Sequence, residues 1–250
     1  MATYPLKNLT IFFLFITVFS IALEPADSII KKMDDQMRGK SSYMQITITV
    51  KNPRWERNIK LDAWSEGTDR SFIRIDYPFK DKGITFLKLK NDMWQYIPKI
   101  EKTIKFPPSM MLQSWMGTDF SNDDLVKESS MTTDYNHRLL EENDKYYKIE
   151  SIPKKEAAVT WGKIIQTIDK QTVIPLQADF YDEDGNLIRV FKYRDIVRLS
   201  DRYFPLTMTL ESKSEDKKDN LTTMKFDKID FATPIPEGIF TFKALKQMSR

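Results

Sequence analysis

"SYMQITITVKN", residues 42–52, decides how this chain is read. Met44, Ile46, Ile48 and Val50 alternate with Gln45, Thr47 and Thr49. Successive side chains of a strand point to opposite faces, so this alternation marks a strand with one face in a core and the other in water. The stretch before it has a different period. In "EPADSIIKKMDDQMRGK", residues 24–40, Ile29, Ile30, Met33 and Met37 recur at helical spacing. Pro25 suits a first turn, Asp27 or Ser28 suits the N-terminal end, and Gly39 ends the helix. The chain therefore switches from one helix to strands near residue 40.

The strand period persists downstream. "RWERNIKLDAWSEG" (54–67) sets Trp55, Ile59, Leu61 and Ala63 on one face, and "DRSFIRIDYP" (69–78) groups Ile73, Ile75 and Tyr77. "GITFLKLKNDMWQYIPKIEKTIKF" (83–106) reads as two or three short strands. Strands resume at "YNHRLLEENDKYYKIESIP" (135–153), and residues 162–212 form a meander of four with turns at Lys170–Thr172, Asp184–Gly185 and Ser200–Asp201. Asp-Gly between alternating runs is a strong hairpin signal. Phe204, Leu206, Met208 and Leu210 give one inward face, and Met224 and Phe226 another. The total is one helix and roughly ten antiparallel strands, a sandwich or barrel pattern and not a βαβ sheet. So much sheet with so few helices to cover it leaves a concave apolar space, which favours a hydrophobic ligand between sheet and helices.

The N-terminus is read separately. Leu9 to Leu23 is an apolar run of about 15 residues, short of the roughly 20 a spanning helix needs. Lys7 precedes it, and Ser20 and Ala22 occupy the small-residue positions of a cut before Leu23. This predicts a cleaved secretory signal over 1–22 and a single domain over 23–250. The chain has no cysteine. That excludes thiol chemistry, a disulfide framework and acylation at a cysteine after the signal. An exported, sizeable, cysteine-free chain suits a bacterial periplasm. Charge is balanced, 39 Lys+Arg against 36 Asp+Glu, which argues against a nucleic-acid partner.

Catalytic patterns are thin. The one histidine, His137, lies in an alternating strand, and no Gly-x-Ser-x-Gly elbow exists to partner it. Asp119, Ser121 and Asp123 take the first, third and fifth places of a calcium loop. Asp124 then stands where glycine is needed and Ser130 where glutamate is needed, so the match fails. Without cysteines, and with one histidine, transition-metal ligation has no donor set. Acidic pairs lie beside turns and helix starts, where they are usual. No cofactor is implied.

The mid-chain interruption has a plainer reading. In "SWMGTDFSNDDLVKES" (114–129), Ser121 is a good N-cap and Asp124, three residues on, is the acidic member of a capping box for a short helix. Before it, "PPSMMLQSWMG" (107–117) is rich in Met, a side chain that accommodates varied apolar partners. Pro107-Pro108 and Gly117 frame it as a flap with one rigid end and one flexible end.

These residues resemble a family. "MWQYIPKIEKTIKFPPS" with Trp94, Tyr96 and Pro98, then "WMGTDFSNDDL" with Met116, Gly117, Thr118, Asp119, Phe120, Asp124 and Leu125, then the hairpin with Asp182, Asp184 and Gly185, are similar to the outer-membrane lipoprotein-sorting (LolA-like) family. Thr118 stands where serine is commoner. The resemblance spans most of the mature chain. It implies an unclosed antiparallel half-barrel, mainly β, with the N-terminal helix and a mid-chain helical lid over an apolar cavity. It implies binding of acyl chains of lipoproteins or other lipids for transport through the periplasm toward the outer membrane. It further implies an association, in some members, with inner-membrane permeases of the resistance-nodulation-division type. The best-known carriers use one cavity arginine to link barrel and lid; the motifs that carry the resemblance here do not include it.

The expected lid is Met110, Met111, Leu112, Trp115, Met116 and Phe120. The expected wall, assigned by strand phase, is Ile46, Ile48, Ile59, Leu61, Ile73, Ile75, Leu206 and Met208, and Trp94 of the matching motif is expected to bind with it. The first reading is therefore a non-enzymatic, monomeric periplasmic lipid carrier. The alternative is a β-rich interaction module with a filled core, working with an inner-membrane permease. An exported carboxylate hydrolase is a third, for which no pair of acids is singled out.

Overall fold

The computed structural model describes residues 25–249 apart from 112, 123, 125–130, 158, 216, 218, 232 and 233. The expected signal, 1–22, and the expected lid residue Leu112 lie outside the described residues. So does the apolar start of the helix expected after Ser121, at Leu125 and Val126.

The expected first helix is α1, Ala26–Arg38. Pro25 precedes it, and its carbonyl accepts from the Ser28 N–H at 2.9 Å. Gly39, at φ 67°, ends the helix in a conformation that favours glycine. Ile29, Ile30 and Met33 form the buried stripe. Among the described residues thirteen strands follow, more than the roughly ten counted from periodicity. They are β1 (Ser41–Lys51), β2 (Glu56–Glu66), β3 (Arg70–Tyr77), β4 (Thr85–Leu89), β5 (Asp92–Ile97), β6 (Lys102–Lys105), β7 (Tyr135–Glu142), β8 (Tyr146–Pro153), β9 (Lys163–Asp169), β10 (Pro175–Tyr181), β11 (Leu187–Leu199), β12 (Arg202–Ser212) and β13 (Leu221–Asp230). The stretch left as two or three strands is three, β4 to β6, each too short to show a long alternation. The Asp184–Gly185 turn joins β10 and β11 as expected, with Gly185 at φ 85° and the Asn186 N–H bonded to the Asp182 carboxylate at 2.8 Å.

All thirteen strands form one antiparallel sheet in the order β6-β5-β4-β3-β2-β1-β13-β12-β11-β10-β9-β8-β7. β6 and β7 are its two edges and do not pair with each other, so the half-barrel is open. This order has a geometric consequence. The chain between β6 and β7 must pass from one free edge to the other, and so crosses the mouth of the curved sheet. The expected helical lid falls in this connection, partly outside the described residues. The described residues hold a single 3-10 turn at Pro108–Met110, helical residues Asn122 and Asp124, and a short helix α2 (Met131–Asp134).

Register aligns the apolar residues across strands. Ile46 pairs with Leu61 on one side and Phe226 on the other; Ile48 pairs with Ile59 and Met224. Leu61 continues to Ile75, Met224 to Met208, and Met208 to Tyr193. These rows line the concave face. Bulges at Gln45/Ile46 and Lys60/Leu61 interrupt the ladders, a device that increases sheet bending. On the convex face Trp64, Phe72, Leu87 and Tyr96 pack against Ile239 and a C-terminal helix α3 (Phe242–Gln247), whose Ala244 and Leu245 are buried. The α1 stripe packs with Ile149 and Ile168 at the β7–β9 end of the sheet.

Candidate functional site

The stretch that crosses the mouth is knit by its own backbone. After Pro107, the Met110 N–H bonds back to the Pro107 carbonyl at 2.9 Å. Trp115 donates to the Phe120 carbonyl at 2.8 Å, and Thr118 donates to the Trp115 carbonyl at 2.9 Å. Met116 and Gly117 between them both have positive φ, 51° and 71°. A reverse turn with positive φ at both centres favours glycine, and Gly117 supplies it at the second centre. Met116 carries the strain, and its carbonyl accepts from the Arg57 guanidinium of β2. The buried Asn122 amide donates to the Met110 carbonyl at 2.8 Å and the Gln113 carbonyl at 3.2 Å. The result is a compact flap.

Its apolar side chains point into the concave face. Trp115 is 1% exposed and Phe120 is 3% exposed. The Trp115 ring lies 5.6 Å from Phe86 of β4, and Phe120 lies 5.8 Å from Phe191 of β11. Met111 and Met116 pack half-buried against the same cluster, which contains Ile46, Ile48, Ile59, Leu61, Ile75, Phe106 and Met224. The concave face is thus an apolar trough plugged by one connection. The Trp115 indole N–H has no hydrogen-bond partner among the described residues. An orphaned buried donor costs about 1–3 kcal/mol.

The flap's acids are structural ties. Asp119 accepts from the Thr222 hydroxyl of β13 at 2.6 Å. Asp124 and Ser121 form the expected capping box: the Ser121 N–H donates to the Asp124 carboxylate at 2.7 Å, and the Asp124 N–H donates to the Ser121 hydroxyl at 3.1 Å. Asp124 also makes a contact that the capping reading did not foresee. It takes both guanidinium Nη groups of Arg189, at 2.7 and 2.5 Å. Among the described residues, no three His, Cys, Asp or Glu converge to hold a metal ion.

Arg189 is only 6% exposed. Its guanidinium lies 4.2 Å from the Trp161 ring centre, 4.7 Å from Phe180 and 4.9 Å from Phe191. Such stacking suits arginine, whose planar cation is weakly hydrated. Its Nε has no partner among the described residues. The sequence did hold a signal for it. Arg189, Phe191 and Tyr193 share one strand face, so a charge stands at an inward position of "NLIRVFKY". Two arginines, Arg57 and Arg189, therefore join sheet to flap, where the family resemblance implied one.

Of the expected wall, Ile46, Ile48, Ile59, Leu61 and Ile75 are buried in the trough, with Ile73 and Met208 half-buried against it. Met110 is half-buried, its carbonyl held by Asn122. Leu206 is half-buried on β12 but is not among the residues packed in the trough cluster. Trp94 is a correction. It lies on the convex side against α3, its ring 4.9 Å from Phe242, while its neighbour Met93 faces the trough. A six-residue strand with apolar residues on both faces does not reveal its phase, and a one-residue slip exchanges the faces. Sequence reasoning also missed Phe86, Phe106, Phe180 and Phe191. His137 is held between the Ser151 hydroxyl at 2.8 Å and the Met131 carbonyl at 3.0 Å, and burial lowers its pKa.

Comparison with known proteins adds the following. A family model described as "Uncharacterized protein" matches residues 67–247. No curated protein matches the sequence. Among solved structures, a DUF1329 family protein from Desulfovibrio piger is similar at a TM-score of 0.80, 19% identical, covering 88% of this chain and 97% of its own. A putative outer membrane lipoprotein-sorting protein domain from Vibrio parahaemolyticus follows at 0.77, 20% identical, covering 88% and 98%. A LolA superfamily protein from Nitrosomonas europaea is similar at 0.74, 22% identical, covering 88% and 99%.

Proposed function

We propose that this chain, which belongs to the family whose model spans residues 67–247 and has the LolA-like half-barrel fold, is a periplasmic carrier that shields acyl chains of lipids or lipoproteins in its trough. The reading is non-enzymatic: the flap binds by moving aside, and its residues perform no bond chemistry. The observation that carries it is the plug. The apolar rows of the concave face on β1–β5 and β10–β13 are covered by side chains from one edge-to-edge connection and those on β8 and β9 by α1, not by a second sheet.

Magnitudes support the exchange of plug for ligand. Lifting the flap exposes Trp115 and Phe120 fully and Met111 and Met116 in part. At about 1.5–3 kcal/mol per fully buried side chain, the cost is about 4–10 kcal/mol. An acyl chain of about 14 methylenes returns about 11 kcal/mol at about 0.8 kcal/mol each. The two nearly balance, which is what a carrier that loads and unloads requires. Transport toward the outer membrane and a loading permease in the inner membrane are part of the proposal.

One observation favours the second reading, an interaction module with a filled core: Trp115 and Phe120 are themselves almost fully buried against the trough cluster. Native mass spectrometry of the protein taken from the periplasm separates the two, together with titration of a fluorescent fatty acid. The carrier reading expects a co-purifying lipid or saturable probe binding near 1:1. A lipid-free protein that also excludes the probe would sink it and leave the interaction module.

A further inference from the structure

Arg189 places a cation inside an apolar trough, and its counter-charge comes from the flap. A guanidinium taken out of water is tolerated when a carboxylate faces it and the remaining donors are satisfied. Here Asp124 supplies the carboxylate from the connection that must move for an acyl chain to enter. Once the flap lifts, a ligand made only of hydrocarbon would leave Arg189 buried among Trp161, Phe180 and Phe191 without a partner. The Arg189 Nε donor is unpartnered among the described residues even with the flap in place. A second buried polar atom on the same face is also unsatisfied. Gln166 of β9, 6% exposed, pairs with Ala178, which pairs with Phe191, so it lies in the row beside Arg189; its Oε1 has no partner.

Resting on the carrier reading, we propose that Arg189 is the head-group subsite of the trough and that its ligand is an anionic single-chain or multi-chain lipid, carrying a carboxylate or a phosphate. The anion takes the two Nη donors that Asp124 now holds, so ligand binding itself unties the flap at this point. Neutral acyl esters and alcohols lack the group that replaces Asp124 and bind less tightly.

The test uses the mature chain, delipidated on a hydrophobic resin, with three probes of equal chain length: palmitic acid, hexadecyl phosphate and 1-hexadecanol. Each displaces a neutral fluorescent acyl probe. The expected result is that at least one anion binds about tenfold or more tighter than the alcohol, in line with hydrogen bonds between charged groups. The order of palmitate and hexadecyl phosphate identifies the head. Arg189→Gln abolishes the preference, and Asp124→Asn, which removes the competing charge, widens it. Equal binding of all three, or a preference that survives Arg189→Gln, overturns the subsite and leaves the carrier reading standing. Failure of all three to bind overturns both. The comparison within the unmutated protein stands even if Arg189→Gln does not fold.

Discussion

Replacing Asp124 with alanine leaves the Arg189 guanidinium buried with no counter-charge. The Arg189 side chain is 7% exposed and that of Asp124 18%, so the more deeply buried member is the one stranded. Breaking a buried pair in this way costs about 3–5 kcal/mol. Loss of the bond from the Ser121 N–H adds a capping loss of about 0.5–2 kcal/mol. Arg189→Met strands a carboxylate that reaches water more easily, and should cost about 2–3 kcal/mol, including its aromatic stacking. The double variant Asp124→Ala/Arg189→Met removes both charges, so it keeps the capping loss and is otherwise near neutral. The two single losses apart from capping, less a double loss near zero, give a coupling of about 5–8 kcal/mol. Urea unfolding followed by tryptophan fluorescence and circular dichroism measures it, provided both probes give the same midpoint and slope. A coupling below about 0.5 kcal/mol, or an Asp124→Ala cost below about 1 kcal/mol, would show that the pair is solvated and that the flap is not tied through Arg189.

Gly117→Ala should destabilise by about 1–2 kcal/mol, since an L side chain is strained at φ 71° and its Cβ would sit 3.2 Å from an Arg57 Nη. Gly67→Ala, at φ 57° with no atom within 4 Å, isolates the backbone part; equal losses at both sites would remove Arg57 from the account. His137 makes stability depend on pH. Burial, its main perturbation, and Lys154 lower its folded pKa below the usual 6.5, outweighing Asp27 and the Met131 carbonyl. The unfolded chain then binds more protons as pH falls from 6.5, so this contribution, full above that value, is lost toward the folded pKa. His137→Gln should flatten the urea midpoint between pH 7.5 and 5.5 without changing lipid binding; an unchanged slope assigns the loss to other groups.

Much of the candidate site was legible where one physical rule acted alone. Alternation on β1 and β2 identified Ile46, Ile48, Ile59 and Leu61 because one face of each strand is polar and the phase is unambiguous. The capping box at Ser121 and Asp124 was legible because capping is local to four residues. Where both faces of a strand are apolar, as at Met93 and Trp94, the phase was lost.

Sequence alone therefore determined the local periods, the helix α1, the strand-rich class and the greasy flap between Pro107 and Phe120, since each depends on neighbours within a few residues. Only the tertiary structure decided that β1 pairs with β13, and hence that β6 and β7 are free edges and the flap must bridge them. It alone showed that Arg189 and Asp124, which are 65 positions apart, meet under that bridge. Long-range pairing is set by which distant surfaces can be buried together, and a charge in a strand declares its partner only when the sheet has curved around it.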